Sequence, residues 1–219
     1  MPAASDARRS ALLDLIASLS FKLGDFILTS GQRSDYYIDC RITTLHAEGG
    51  RLSGILLYEL IHEHFPQAEA IGGLTMGADP VVSNVATASA WELADYKEIL
   101  ELSSALEMDE NEDPGPEPKL LHGFLIRKTA KAHGAGRRIE GFLKPGAPVV
   151  VVDDALSTGG STIAAIEAVR EAGMNVVGVV FIVDREMGGR TNIAAIAPDA
   201  PIYSLFTAND VRTAHLALK

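Results

Sequence analysis

Residues 149–161 read VVVVDDALSTGGS. Four valines run without interruption into two aspartates, and a small, glycine-bearing turn follows. The continuous apolar run Val149–Val152 predicts a strand buried on both faces, since a half-buried strand would alternate. Asp153 and Asp154 then fall at the C-terminal end of that strand, the edge where open α/β sheets bind ligands. Ser157 to Ser161 predict a tight turn and residues 162–172 a helix. The N–H groups of such a turn and of the helix N-terminus face an anion. An aspartate at a strand end also serves as a turn former or N-cap. Strand, acid pair, TGGS and helix in that order favour ligand binding instead. The stretch offers acceptors for two hydroxyls and, a few residues on, a cradle for phosphate, which together suit a sugar phosphate. No G-x-x-x-x-G-K-[ST] occurs, and the glycines of GAGRRIEG (134–141) lack dinucleotide-binding spacing.

Working outward, strand-like and helix-like segments alternate. Ala70–Leu74, residues 119–126, Val149–Val152, Val176–Val183 and Ile202–Phe206 predict strands. Residues 7–20 and 45–65 predict helices, the second carrying an early Gly-Gly. Residues 26–28 and 36–39 predict short strands around TSGQRSD. After TMGADP, Asp79 is expected to cap a helix with Pro80 at its first position, and Trp91, Tyr96, Ile99 and Leu106 continue the helical spacing. This alternation predicts an α/β domain with a mainly parallel sheet covered on both faces. The 219 residues suit one domain.

The net charge is −10. Residues 92–118 hold ten acids against Lys97 alone and carry −9 of it. EMDENEDPGPEP (107–118) cannot continue a helix and reads as a loop. The acidity argues against a nucleic-acid partner. No apolar run is long enough to span a membrane. The single cysteine, Cys40, excludes an internal disulfide and reads as a core residue, consistent with a cytoplasmic setting. His62-Glu63-His64 lacks metal-site spacing and reads as a solvated helix face. Residues 127–144 hold Arg127, Lys128, Lys131, Arg137, Arg138 and Lys144, with His133 among them and Glu140 alone opposing. This loop leaves one strand while the acid pair ends the next. A glycine-hinged cationic loop there suits a polyanionic substrate whose departing phosphate needs neutralising.

These residues resemble a known family. VVVVDDALSTGG is similar to the phosphoribosyl-pyrophosphate (PRPP) signature of the type I phosphoribosyltransferases. RKTAKAHGAG (127–136) resembles the catalytic loop of their orotate phosphoribosyltransferase branch, FKLGDFILTSGQRSDYYIDCR (21–41) its N-terminal hood, GGLTMGADP (72–80) its pyrophosphate loop, and VDRE (183–186) its base-contacting turn. The resemblance spans nearly the whole chain outside residues 92–118. It implies the type I phosphoribosyltransferase fold as a single domain over 1–219: a hood over about 1–44, an acidic insertion over about 92–118, and a mobile catalytic loop over about 127–144.

It further implies that orotate and PRPP react to give orotidine 5′-monophosphate and pyrophosphate, a step of pyrimidine biosynthesis. Asp153 and Asp154 are expected to bind the ribose hydroxyls. Ala155, Leu156, Ser157, Thr158, Gly159, Gly160 and Ser161 are expected to wrap the 5′-phosphate. Ser157 and Arg185 are expected to meet orotate, and the backbone at Thr75 and Met76 to meet pyrophosphate. Arg127, Lys128, Lys131 and His133 are expected to grip the leaving group. Catalytic roles fall to Lys128, Lys131, His133 and Asp154, with Lys131 and His133 both open as proton donor. Tyr36 and Tyr37 read either as base contacts or as packing. Mg2+ is expected to arrive on PRPP oxygens rather than on a protein site, and a homodimer is expected whose loop acts across subunits. Many members carry lysines where this chain has Thr29 and Met76. Transfer to another nucleobase and a non-catalytic PRPP-sensing role therefore stand beside the main reading.

Overall fold

The valine run is the middle of a longer strand. In a computed structural model that describes residues 2–27, 33–105, 115–128 and 138–218, β6 spans Pro148–Leu156, with Val149 to Val152 at most 1% exposed. The two aspartates lie within this strand rather than after it. The reason is pairing: β7 (Asn175–Asp184) runs parallel to β6, and its register continues through Asp153 opposite Phe181 to Leu156 opposite Asp184.

Six strands form the main sheet in the order β5-β4-β3-β6-β7-β8. Here β3 is Ala70–Leu74, β4 His122–Ile126, β5 Ile139–Gly141 and β8 Ile202–Thr207. All pairs are parallel except β4–β5. Strand order reverses between β3 and β6. From β3 the chain enters α4 (Ala78–Ala105), whose Val81 and Val85 join the apolar cluster on one face. From β6 it enters α5 (Gly160–Glu171), whose Ala165, Ile166 and Val169 join the cluster on the other face. The two connections diverge, so a crevice opens where the strands end. The acid pair sits on its floor.

The remaining elements frame that crevice. Helix α1 (Pro2–Leu15) and a π-helical turn at Ile16–Ser20 lead into the antiparallel hairpin β1 (Phe21–Ile27) and β2 (Arg33–Ile38). Strand β1 thus starts well before the expected residue 26, because Phe21 and Ile38 pair and are both buried. The helix expected over 45–65 is α3 (Ala47–His64), and a short helix that was not expected, α2 (Cys40–Thr44), precedes it. His46 breaks them, its Nδ1 accepting the Gly49 N–H at 3.3 Å as a cap. A Cβ on Gly54 would lie 2.5 Å from the Asn84 carbonyl oxygen, so a glycine there lets α3 and α4 approach closely.

Four other expectations change. Helix α4 begins at Ala78, so Asp79 lies inside its first turn and does not cap it. Ala78 is fully buried against Gly73, which draws the helix start forward. The strand expected from residue 119 begins at His122. Before it, the Lys119 carbonyl accepts from the Tyr58 hydroxyl, and the Leu121 N–H donates to Ser89 Oγ. The stretch read as one loop over 127–144 contains β5, and the Arg127 N–H donates to the Arg138 carbonyl at 2.8 Å. His64 is not merely solvated, since its ring stacks on Tyr203 at 4.1 Å. Cys40 is buried, and burial pushes its thiol pKa well up. Helices α6 (Gly189–Ile196) and α7 (Ala208–Ala217) complete the layers.

Candidate active site

The crevice is a cleft of about 980 Å³. Its walls bring together Asp153, Asp154, Ala155, Ser157 and Ser161 from β6 and the turn after it. Thr75, Met76 and Gly77 follow β3, Arg127 and Lys128 follow β4, Arg185 follows β7, and Tyr37 lies on β2. Each comes from the C-terminal end of its strand or from the hairpin above, which is why residues so far apart in sequence meet.

The acid pair is held tightly. Asp153 is buried, and its Oδ1 accepts the Asp154 N–H at 3.0 Å. A Cβ on Gly77 would lie 2.5 Å from Asp153 Oδ1 and 2.8 Å from Asp154 Oδ1, so the loop after β3 rests its backbone directly on both carboxylates. Burial pushes the Asp153 pKa well above the usual carboxylate range, and the neighbouring Asp154 charge adds to it. Burial also raises Asp154, opposed by its hydrogen bonds to Asp153 and Ala155 and by the Arg41 charge. Two carboxylates that are costly to ionise when the cleft is empty are strong acceptors for donors brought by a ligand.

Past the pair, Gly159 takes φ 84° and starts α5. Its Cβ would press on Ile193 at 3.1 Å, so both conformation and space call for glycine. The N–H groups of Thr158, Gly159, Gly160 and Ser161 donate to no partner among the described residues, while the Thr158 carbonyl is tied to Asn192 Nδ2 at 3.0 Å. The turn therefore keeps donors uncommitted and one acceptor anchored, as an anion cradle requires, and its Ser157 and Ser161 line the cleft while Thr158, Gly159 and Gly160 do not. Leu156 turns its side chain into the core and can offer only backbone.

Arg185 spans two elements. Its Nη1 donates to Ser157 Oγ at 3.2 Å, its Nη2 to the Ile38 carbonyl, and its buried Nε has no partner among the described residues. Asp184 holds the turn that carries it. One Asp184 oxygen accepts the Glu186 N–H at 2.8 Å and the other accepts from Arg190 Nε, while Arg190 also donates to the Ile202 carbonyl and Ser204 Oγ of β8. Glu186 adopts φ 59° in that turn.

The structure divides the two tyrosines. Tyr37 lines the cleft. Tyr36 does not: its ring stacks on Phe21 at 5.6 Å, Arg212 lies over it, and its hydroxyl donates to the Arg185 carbonyl at 3.4 Å. Lys131, His133 and Thr29 lie outside the described residues. Asp39 and Arg41 also line the cleft. Sequence reasoning did not single them out, although the polar Asp39 directly after the apolar Ile38 was a visible signal.

Comparison with known proteins agrees with this geometry. The phosphoribosyl transferase domain family matches residues 127–218. The orotate phosphoribosyltransferase of Aquifex aeolicus is 39% identical over 206 residues, covering 93% of this chain and 97% of the relative. A crystal structure of the Mycobacterium tuberculosis orotate phosphoribosyltransferase with Fe(III) dicitrate superposes with a TM-score of 0.69 at 34% identity, over 93% of this chain and 98% of the other. Another crystal structure of that enzyme, in complex with PRPP, gives 0.67 at 29% identity over 94% and 99%. Identity at that level along nearly the full length of both chains places this one: it belongs to the orotate phosphoribosyltransferases.

Proposed function

We propose that the cleft transfers the 5-phosphoribosyl group of PRPP to orotate, releasing pyrophosphate and forming orotidine 5′-monophosphate. The observation that carries this reading is the Asp153–Asp154 pair, buried at Asp153 and half-buried at Asp154, at the point where strand order reverses, with a turn and helix N-terminus immediately beyond it whose N–H groups have no partner among the described residues. The carboxylates accept the ribose 2′- and 3′-hydroxyl protons, and residues 157–161 take the 5′-phosphate. That fixes the sugar at both ends and leaves C1 facing the Thr75–Gly77 loop. Arg185 faces the base with Ser157 and is suited to orotate's carboxylate, because a planar guanidinium matches two oxygens at once.

The base nitrogen forms its bond to C1 as the bond from C1 to the pyrophosphate oxygen breaks, and the leaving group keeps that electron pair. The chain's contribution is orientation and charge: Arg127 and Lys128 stand beside the pyrophosphate, with Lys131 and His133 on the same cationic segment. Asp153 and Asp154 also suit a Mg2+ ion held on the substrate's own oxygens and reached through water, as this ion's reluctance to shed water favours. When bound, it offsets part of the charge on the leaving pyrophosphate. We assign the chain to a homodimer in which residues 129–137 act in the partner's cleft. A cytoplasmic setting fits the lone buried Cys40, and among the described residues no helix is long and apolar enough to cross a membrane.

The test is loss of orotate absorbance with PRPP and Mg2+, run beside adenine, hypoxanthine and uracil. Turnover confined to orotate supports the reading. Turnover of another base reassigns the specificity. PRPP binding without any turnover makes the protein a sensor.

A further inference from the structure

The reading above leaves two charged side chains of the cleft, Asp39 and Arg41, without a role. Arg41 is the second residue of α2, and Asp39 precedes that helix as its N-cap. Asp39 Oδ1 accepts the Arg41 backbone N–H at 3.2 Å. The same carboxylate grips the guanidinium from two sides, with Nε to Oδ1 and Nη2 to Oδ2 each at 2.8 Å. Nη1 has no partner among the described residues, and the side chain is 43% exposed. An N-cap needs only one acceptor oxygen. A half-exposed ion pair adds little stability and holds a long side chain at an entropic cost. Capping and stability therefore do not account for a two-point grip that fixes the guanidinium plane.

Arg41 and the Thr75–Gly77 loop line the same cleft. The Arg41 charge acts on Asp154, and the backbone of Gly77 rests against that same carboxylate. Arg41 and Gly77 are therefore both neighbours of the Asp154 carboxylate within one cleft, while Ile38, beside Asp39, accepts from Arg185. The loop there reads Thr-Met-Gly and supplies no cation. A diphosphate seated against it meets donors from the backbone alone unless a side chain reaches in from elsewhere.

Resting on the phosphoribosyl transfer reading, we infer that Arg41, aimed by Asp39, binds the diphosphate group of PRPP against the Thr75–Gly77 loop. Arg41 is then a substrate-binding residue, and Asp39 is the positioning residue that orients it. The chemistry fits, since a guanidinium with one edge anchored presents its remaining donors to phosphate oxygens in a fixed plane.

The test compares inorganic pyrophosphate, PRPP and ribose 5-phosphate, each with Mg2+, by calorimetric titration of the wild type, Arg41→Gln, Arg41→Lys and Asp39→Asn. Ribose 5-phosphate keeps the diol and the 5′-phosphate but lacks the diphosphate. Arg41→Gln should weaken pyrophosphate and PRPP by about tenfold, the scale of one charge-assisted contact, and leave ribose 5-phosphate within about twofold. KM for PRPP should rise while KM for orotate holds. Asp39→Asn should shift the same two ligands by a smaller factor. Equal weakening of all three ligands means that Arg41 only holds the hood in place, and overturns the inference. An unchanged pyrophosphate affinity, or a loss confined to orotate, overturns it too. If Arg41→Gln does not fold, Arg41→Lys carries the comparison: a loss of about threefold or more for the two diphosphates alone supports the role, and no loss overturns it. A wild type that binds PRPP in none of these titrations sinks the transfer reading itself, whatever the variants do.

Discussion

At Asp153 and Asp154 the proposed binding role stands against stability within one short stretch. Both carboxyls have raised pKa values in the folded chain, chiefly from burial. Between the ordinary value of 3.8 and the raised one, the folded state binds more protons than the unfolded state. Stability is therefore fully present at low pH and is lost as pH rises through the raised value. Replacing Asp153 by Asn removes one of the two charges. The ligand-free variant should melt higher than the wild type at neutral pH, by about 2–4 °C for each kcal/mol of repulsion and desolvation relieved, and the gap should close as pH falls toward 3.8. The same substitution should weaken PRPP binding, so saturating PRPP should raise the wild-type Tm more than the variant's. Thermal melts across pH, with and without PRPP, check both parts. A variant that melts lower at every pH would make Asp153 a structural residue. The pair's place was legible in the sequence because a valine run, two acids, a glycine-bearing turn and a helix follow one another in that order. The residues that hold it were not. Nothing local marks Gly77 as the backbone that rests on both carboxylates, because that contact depends on β3 lying beside β6.

Elements were legible where periodicity is strong and misjudged where a tertiary contact decides the boundary. The five main strands stood out as apolar runs because each is covered on both faces. Strand β5 is three residues long and its one buried side chain is Ile139. Its pairing is specified by β4 alone, so no sequence pattern announces it. The long helix after the cleft followed its spacing, but its end carries a separate lesson. The buried residues of α4 all lie between Ala78 and Ser89. From Trp91 to Ala105 no described residue is buried, and Trp91, Ile99 and Leu102 are more than half exposed. The helix is about 42 Å long at 1.5 Å per residue, so its second half stands well away from the cleft where it begins. Most of the acidic charge read as an insertion is carried on this half and on the segment that follows. The return to the sheet is anchored afterwards, where Lys119 Nζ donates to the Pro66 carbonyl and Leu121 is bonded to Ser89. Removing residues 92–118 and joining Trp91 to Lys119 through a short Gly-Ser turn should thus leave PRPP affinity and turnover within about twofold. Circular dichroism should lose the helical signal of the projecting half. Kinetics at low and high salt complete the check, since a change in PRPP affinity confined to low salt would place this charge within screening distance of the cleft.

At the scale of the molecule, the sheet gathers the cleft, with Arg41 and Arg185 on its walls and Arg127 and Lys128 at its edge. The chain's own cleft includes Arg127 and Lys128, just before residues 129–137. The Arg127 N–H donates to the Arg138 carbonyl, so the described chain before and after residues 129–137 is joined at one point. Lys131 and His133 fall within residues 129–137, outside the described residues. If they act in a partner's cleft, a lesion at Lys131 and a lesion at Arg185 damage different sites of a mixed dimer. Lys131→Ala is a better probe than a change at Lys128, which lines its own chain's cleft and would be felt in both arrangements. Arg185→Ala removes the guanidinium that joins Ser157 to the Ile38 carbonyl within one chain. Each variant alone should be nearly inactive. After subunit exchange about half the dimers are mixed, and each mixed dimer holds one site with both lesions and one with neither. Activity should therefore recover to roughly a quarter of the wild-type value, because one of two sites works in half of the molecules. Exchange is verified by differently tagged subunits, and the rate of recovery should follow the rate of exchange. Verified mixing without recovery would mean that residues 129–137 serve the cleft of their own chain, and the dimer would then have no part in the chemistry.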